Sequence, residues 1–279
     1  MLGASRSSLA QARSRLTALA EPVGEAAGTV DLGALSVDLF AVVELLGREL
    51  PLRRTLADPS IAEPAKTALL QALLRERVTP PALAFLVELV RSRWSRPRDL
   101  PSAVETLAVL ASFEQALVDG SLDDVEDQLF RFGRIVEREA GLRDALSDPA
   151  QPDERKRELL AGLLRDKVGP IALRVITAAA VAAPGRRTVG EALDSFSRLA
   201  AEMRQRLNAR VTVAVLPDAA QLERLADGLS RVYGKRIGLR IELDPQILGG
   251  LVIRVGDQVL DASVTRRLDV ARRGLTEHS

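Results

Sequence analysis

The chain has 279 residues, 47% hydrophobic and 28% charged, a balance that suits a folded protein of about two domains. Its 39 Lys+Arg and 38 Asp+Glu leave a net charge of +1, which argues against a strongly basic nucleic-acid binder or an acidic tail. Cysteine is absent and the one histidine is His278, so no disulfide, thiolate nucleophile, Cys/His zinc site or Ser–His–Asp triad can be built, and 3% aromatics leave no base-stacking platform.

Only four of the basic residues are lysines (Lys66, Lys156, Lys167, Lys235); the arginines are scattered among acids, as biased codon usage would leave them. Residues 1–20 carry Arg6, Arg13 and Arg15 and no acid. Their composition resembles a transit peptide, but an ordinary amphipathic helix with Leu2, Leu9, Leu16 and Leu19 near one face is the preferred reading. No apolar stretch reaches the ~20 residues a membrane-spanning helix needs. The longest apolar run, from Val175, stops at Pro184-Gly185. The expectation is a cytoplasmic protein.

A duplication at an offset of 90 residues organises the next part of the chain. Leu39-Phe40 recurs as Leu129-Phe130, Arg48-Glu49 as Arg138-Glu139, and Leu52-Arg53 as Leu142-Arg143. Leu56 matches Leu146, and Asp58-Pro59 matches Asp148-Pro149. Lys66, Leu69-Leu70, Leu73-Leu74-Arg75, Val78, Pro80 and Ala82-Leu83 recur as Lys156, Leu159-Leu160, Leu163-Leu164-Arg165, Val168, Pro170 and Ala172-Leu173. Shared leucine and alanine richness would give roughly four or five coincidences over this stretch, far fewer than these.

Each copy reads as helical. Leu32, Leu35, Leu39, Val42 and Leu46 are spaced 3,4,3,4, and Leu122, Val125, Leu129, Phe132 and Val136 repeat that spacing. Such spacing lays one apolar stripe along a helix. Ser121 with Asp124 resembles a capping box, and Asp123 and Asp124 suit the positive end of the helix dipole. Asp58-Pro59 and Asp148-Pro149 mark turns. Pro80 and Pro170 fit the first turn of the next helix, where a missing N–H costs little. Each unit thus predicts a bundle of five or six short helices. The acid pairs Asp123/Asp124 and Glu137/Glu139 read as solvated helix faces, not acid/base groups. Lys156, duplicated from Lys66, reads as a solvated or helix-capping lysine in preference to a reactive amine.

The period changes after about Gln205. Val211, Val213 and Val215 alternate as a strand ending at Pro217. Asp218 opens a helix with Gln221 at its third position, running to Gly234-Lys235. Ile237, Leu239, Ile241 and Leu243 form a second strand, 251–255 a third and 258–260 a fourth, with Gly256-Asp257 as a hairpin turn. Ser263 is placed as the N-cap of a final helix over 264–275. Gly249, Gly250 and Gly256 match no phosphate-loop spacing and read as turn glycines. Asp244, Asp257 and Asp261 lack calcium-loop spacing and read as turn-forming residues.

The run from Asp244-Pro245 through Gly249-Gly250, Gly256-Asp257, Asp261 and Ser263 to Val264, with Arg267-Leu268 following, resembles the C-terminal signature of the delta subunit of F-type ATP synthases, the oligomycin-sensitivity conferral protein family. Leu142, Leu146, Ser147-Asp148-Pro149, Lys156 and Leu159-Leu160 resemble the family's helical-domain segment. Together they cover about residues 120–275. Residues 1–119 resemble an added copy of the helical module.

The resemblance implies a mostly α fold: two related helical-bundle modules followed by a small α/β C-terminal domain. The expected divisions are an N-terminal arm, 1–30; a first helical module, 31–119; a second, 120–205; and the α/β domain, 206–279. It further implies a non-catalytic peripheral-stalk subunit, one copy per complex, with no cofactor and no metal. Such a subunit links the alpha-subunit N-terminal segments of the catalytic head to the b-type stalk and resists rotor torque. The complex would lie on the cytoplasmic face of a bacterial membrane, with membrane association only through other subunits. Asp148, Pro149, Lys156, Asp244, Pro245, Gly249, Gly250, Gly256, Asp257, Asp261, Ser263 and Arg267 are the motif positions, structural or partner-binding. The alternative is a helical-repeat scaffold for other protein partners.

Overall fold

The computed structural model describes residues 1, 3–20, 30–181, 187–206, 208–233, 237–244, 250–255 and 258–261. The chain divides into two compact units, Met1–Ala200 and Ala201–Ser279.

The first unit is helical. After α1 (Gly3–Ala20) come five helices, α2 (Leu32–Arg48), α3 (Leu50–Ala57), α4 (Glu63–Leu74), α5 (Pro80–Arg91) and α6 (Asp99–Val118). Five more follow at the same spacing: α7 (Leu122–Arg138), α8 (Ala140–Ser147), α9 (Asp153–Leu164), α10 (Pro170–Val181) and α11 (Val189–Arg206). Each helix of the second set begins 90 residues after its counterpart, so the sequence duplication is a duplication of structure. The expected stripes are inward: Leu32, Leu35, Leu39, Val42 and Leu46 are buried, as are Leu122, Val125, Leu129, Phe132 and Val136. Pro80 and Pro170 are the first residues of α5 and α10.

Helix α6 is buried on all sides. It packs against α1, α2 and α3 of the first repeat and against α7 and α10 of the second. Ala103, Val104, Leu107, Ala108, Val109, Ala111, Phe113 and Ala116 have no appreciable exposure. Its place is double: it closes the first bundle as α11 closes the second, and it leads into the second bundle as α1 leads into the first. Small residues let α2 approach closely. The Ser36 hydroxyl donates to the Ala108 carbonyl oxygen at 2.9 Å and lies 2.6 Å from the Ser112 hydroxyl. The helix stops at Gly120, whose φ of +70° suits glycine. Ser121 N–H donates to Ala116 O at 2.8 Å and Gly120 N–H to Leu117 O at 3.1 Å, the paired bonds of a Schellman motif.

Three expectations need correction here. Ser121 stands at the N-cap of α7, but its side chain makes no capping bond; its φ,ψ of −108°, 9° departs from the extended geometry that a capping hydroxyl requires. Its counterpart Asp31 does cap α2, accepting from Ala34 N–H at 2.9 Å. In α1 the fully buried face is Ser5, Ser8, Ala12 and Leu16, with Leu9 and Leu19 only half-buried. Serines serve because that face meets backbone and carboxylate acceptors: Ser8 donates to Arg93 O at 2.9 Å and Ser5 to Asp99 Oδ2 at 2.7 Å. Lys66 and Lys156 are not solvated; they are 5% and 7% exposed.

The second unit holds β1 (Asn208–Val213), α12 (Ala219–Tyr233), β2 (Gly238–Leu243), β3 (Leu251–Val255) and β4 (Gln258–Asp261). The sheet order is β2-β1-β3-β4. β1 and β2 run parallel across the α12 crossover, with Val211 opposite Ile241; β3 pairs antiparallel with β1 and β4 with β3. Alternation puts Ala209, Val211, Val213, Ile253 and Val255 on one face, where they form a core with Leu229 of α12 and Ile237. Asp218 and Gln221 form a reciprocal capping box: Gln221 N–H donates to Asp218 Oδ1 at 2.7 Å and Asp218 N–H to Gln221 Oε1 at 3.0 Å.

Candidate helix-docking faces

The motif residues of the second repeat build a turn and a buried cation. Asp148 ends α8 and accepts from Ala150 N–H at 2.8 Å, with Pro149 between them. The first repeat has the same turn: Asp58 accepts from the Ser60 N–H at 2.8 Å and its hydroxyl at 2.7 Å. These bonds hold the Asp58 carboxyl below its ordinary value, and the charge of Lys66 adds to the effect. Lys66 on α4 and Lys156 on α9 occupy equivalent buried positions.

In the second unit, Asp244 closes β2 by donating its N–H to Val213 O at 3.0 Å. Gly250, at φ +81°, precedes β3, and Asp261 ends β4 opposite Val252. Pro245, Gly249, Gly256, Asp257, Ser263 and Arg267 lie outside the described residues, as do the proposed hairpin turn and final helix. Among the described residues, Asp148 and Pro149 lie at a turn, Lys156 lies on α9, and Asp244, Gly250 and Asp261 lie at strand ends. Among the described residues no group of acids or histidine could hold a metal, and no helix is long and apolar enough to cross a membrane.

Among the described residues, two grooves stand out on the helical unit. One, of about 400 Å³, lies between α1 and α5 and is lined by Ala12, Arg15, Phe85, Glu88 and Leu89 among others. Arg15 and Glu88 bridge it at 2.6 Å. The other, of about 380 Å³, lies between α7 and α11 and is lined by apolar Leu129, Phe130 and Leu193, by Gly133, and by charged Arg134, Glu137, Asp194 and Arg198. Phe130 is 61% exposed.

The repeats are clamped to each other by polar groups that the sequence reading missed. Arg157 of α9 binds Glu44 of α2, and Arg48 joins Glu44 at 3.2 Å and Asp153 at 3.0 Å. Arg174 of α10 donates to the Gly33 carbonyl oxygen and to Gln115 Oε1, both at 2.9 Å. Burial lowers the Arg174 guanidinium from its ordinary range, with Asp31 opposing. Glu105, on α6 and 2% exposed, receives both bonds of Arg187 Nη2 at 2.7 and 2.8 Å. Arg187 also lies 5.5 Å from the centre of the Phe196 ring. Burial lifts the Glu105 carboxyl to about 7 even against that arginine. One device is itself duplicated. Asp38 of α2 accepts from Thr79 N–H at 2.8 Å, and its equivalent Gln128 of α7 accepts from Gly169 N–H at 2.8 Å. Each caps the helix that begins at the following proline. The offset of 90 was the available signal, since 38 and 128 are both polar positions on otherwise apolar-striped helices.

Residues 108–275 match the family model for the ATP synthase delta (OSCP) subunit. The chain is 45% identical to the ATP synthase subunit delta of Parafrankia sp. (strain EAN1pec), over 99% of this chain and 100% of that one. It is 44% identical to that of Streptomyces coelicolor, over 99% and 98%, and 43% identical to that of Thermobifida fusca, over 99% of each. These alignments run through the first repeat, of which the family model covers only the second half of α6.

Proposed function

The chain belongs to the ATP synthase delta (OSCP) subunit family, and from that premise we propose how its two units share the work of a stator. It is a non-catalytic peripheral-stalk subunit of an F-type ATP synthase, part of a membrane-associated complex. The second helical module, about 120–205, binds alpha-subunit N-terminal segments. The first, about 31–119, braces it through α6 and the arginine clamps. The α/β domain, about 206–279, holds the b-type stalk. One copy serves each complex on the cytoplasmic face of the membrane.

The observation that carries this reading is the clamped double bundle with helix-lined grooves on its surface. A tether under load needs rigidity within itself and slow dissociation at both ends. Helix-in-groove docking meets the second need through apolar anchors at i, i+3, i+4 and i+7. The sheet offers a different surface: Arg210 and Arg254 face each other across β1 and β3 on the side away from the core, with Glu242 3.3 Å from Arg210. Titration calorimetry of the full chain with an alpha-subunit N-terminal peptide tests the head contact; absence of heat and of chemical-shift change would remove it.

A further inference from the structure

Positive charge gathers at one corner of the helical unit, where α1 meets the connection from α5 to α6. Residues 1–20 and 91–98 together hold seven arginines and no acid. The chain as a whole carries +1, so everything outside these two segments carries a net −6. Arg15 is engaged by Glu88 at 2.6 Å, and Arg13 is half-buried. The other five, Arg6, Arg91, Arg93, Arg96 and Arg98, are exposed, and among the described residues none of them pairs with an acid.

The two segments are held together by hydroxyl and backbone groups. Ser8 donates to the Arg93 carbonyl oxygen at 2.9 Å. Ser95 N–H donates to Ser5 Oγ at 2.8 Å, and Ser5 donates in turn to Asp99 Oδ2 at 2.7 Å. Trp94 is buried, its indole N–H on Leu89 O at 2.8 Å, and Asp99 N–H bonds Arg96 O at 2.9 Å. The connection is thus a fixed platform, and its arginines stand on backbone already ordered, which lowers the entropy cost of binding.

The second repeat builds the same fold without this platform. Ninety residues on, Arg91, Arg93 and Arg98 give way to Val181, Ala183 and Thr188, and Arg187 turns inward to Glu105. The fold therefore does not require these charges. They also work against it: four cations within eight residues repel one another, and they flank the positive end of the α6 dipole. Their use lies with a partner.

The partner's chemistry follows from what surrounds them. All are arginines, whose planar fork binds carboxylate or phosphate. Beside Arg6, α1 exposes Gly3, Ala4, Ser7 and Ala10, which give a bilayer no large apolar side chain to take up. Trp94, the one aromatic of the platform, is buried and offers no ring to an unpaired base. A membrane plane or a nucleic-acid rod also extends past the corner and meets the net negative remainder of the chain. A compact group of carboxylates does not.

We propose that this corner binds a short acidic segment of a protein partner, its carboxylates taken by Arg93, Arg96 and Arg98 with Arg6 and Arg91 beside them. It lies wholly outside residues 108–275, the part that matches the family model, so the contact belongs to the added module.

Fluorescence anisotropy of the full chain with a fluorescein-labelled decaglutamate peptide at low salt tests this, using two triple variants. One is Arg93→Ala, Arg96→Ala and Arg98→Ala. The other, Arg54→Ala, Arg138→Ala and Arg155→Ala, removes the same charge from exposed positions elsewhere. Thermal melts of both confirm folding. The expected result is binding by the unaltered chain, about tenfold weaker in the first variant and within about twofold in the second, and weakening as salt rises. No binding by the unaltered chain, or equal losses in the two variants, would overturn the proposal. Tighter binding of phosphatidylglycerol vesicles or duplex DNA than of decaglutamate, lost only in the first variant, would name a phosphate-bearing partner and overturn it as well.

Discussion

Phe40 and Phe130 hold the same position in two copies of one helix, yet Phe40 is 6% exposed and Phe130 is 61% exposed. The duplication conserved the residue while the neighbours diverged. Phe40→Ala should therefore cost about 3–5 kcal/mol through lost burial and cavity formation. Phe130→Ala should stay within about 0.5 kcal/mol, the range of an ordinary surface change. Urea denaturation of the two variants side by side checks this, and similar losses would contradict the difference in burial.

The duplicated caps make a paired prediction. Asp38→Ala removes the acceptor for Thr79 N–H, and Gln128→Ala the acceptor for Gly169 N–H. Each should destabilise by about 0.5–2 kcal/mol. The two sites share no partner, so the double variant should equal the sum within about 0.5 kcal/mol. Equilibrium unfolding of the four-member cycle measures both statements.

Arg174 connects α10 to α2 and α6 through two charge-assisted bonds. Arg174→Ala should cost about 1–3 kcal/mol, because the half-buried Gln115 amide oxygen and the Gly33 carbonyl lose their donor. Hydrogen exchange should report faster opening at the start of α2, where Gly33 lies, with little change in α12. Uniform acceleration throughout would argue against a local clamp.

Glu105 gives the chain a pH signature. Its folded-state pKa is raised from 4.5 to about 7 by burial, with Arg187 opposing. A raised carboxyl binds its proton more tightly in the folded chain than in the unfolded one. Its contribution is fully present below pH 4.5 and fades as pH rises to about 7. Relative to Glu105→Gln, the unaltered chain should lose stability across that window, by on the order of 2–3 kcal/mol. Urea midpoints at pH 5 and pH 8 for both proteins test the sign; a constant difference would contradict it.

The backbone plan was legible in the sequence, because the offset of 90 predicts that what one copy does the other repeats. The 3,4,3,4 stripes of α2 and α7, the proline starts of α5 and α10, the alternation of β2 and the Asp218–Gln221 box follow from local chemistry; β1 stops at Val213, short of the expected end at Pro217, and Val215 is exposed. Three things did not follow. Periodicity registers one apolar stripe and cannot show that α6 is covered all round, since alanine and serine look neutral until something packs on them. Identity between repeats says that Phe130 sits on the same backbone as Phe40, not that it has the same neighbours. Long-range grips such as Arg174 on Gly33 join residues far apart in the chain, and one arginine among many carries no mark of its partner.

The double duty of α6 has a consequence for counting. Two complete bundles of this type would need twelve helices, yet the helical unit makes both from eleven, with a member about 30 Å long common to the two. Growth by one more unit would therefore add five helices, not six, and would recruit α11 as the next common member. Asp194, Arg198 and Glu202, where α6 has Val104, Ala108 and Ser112, forbid that role, because each would have to be stripped of water to serve as α6 does. The series ends at two by the composition of its last helix, as terminal caps end other repeat arrays.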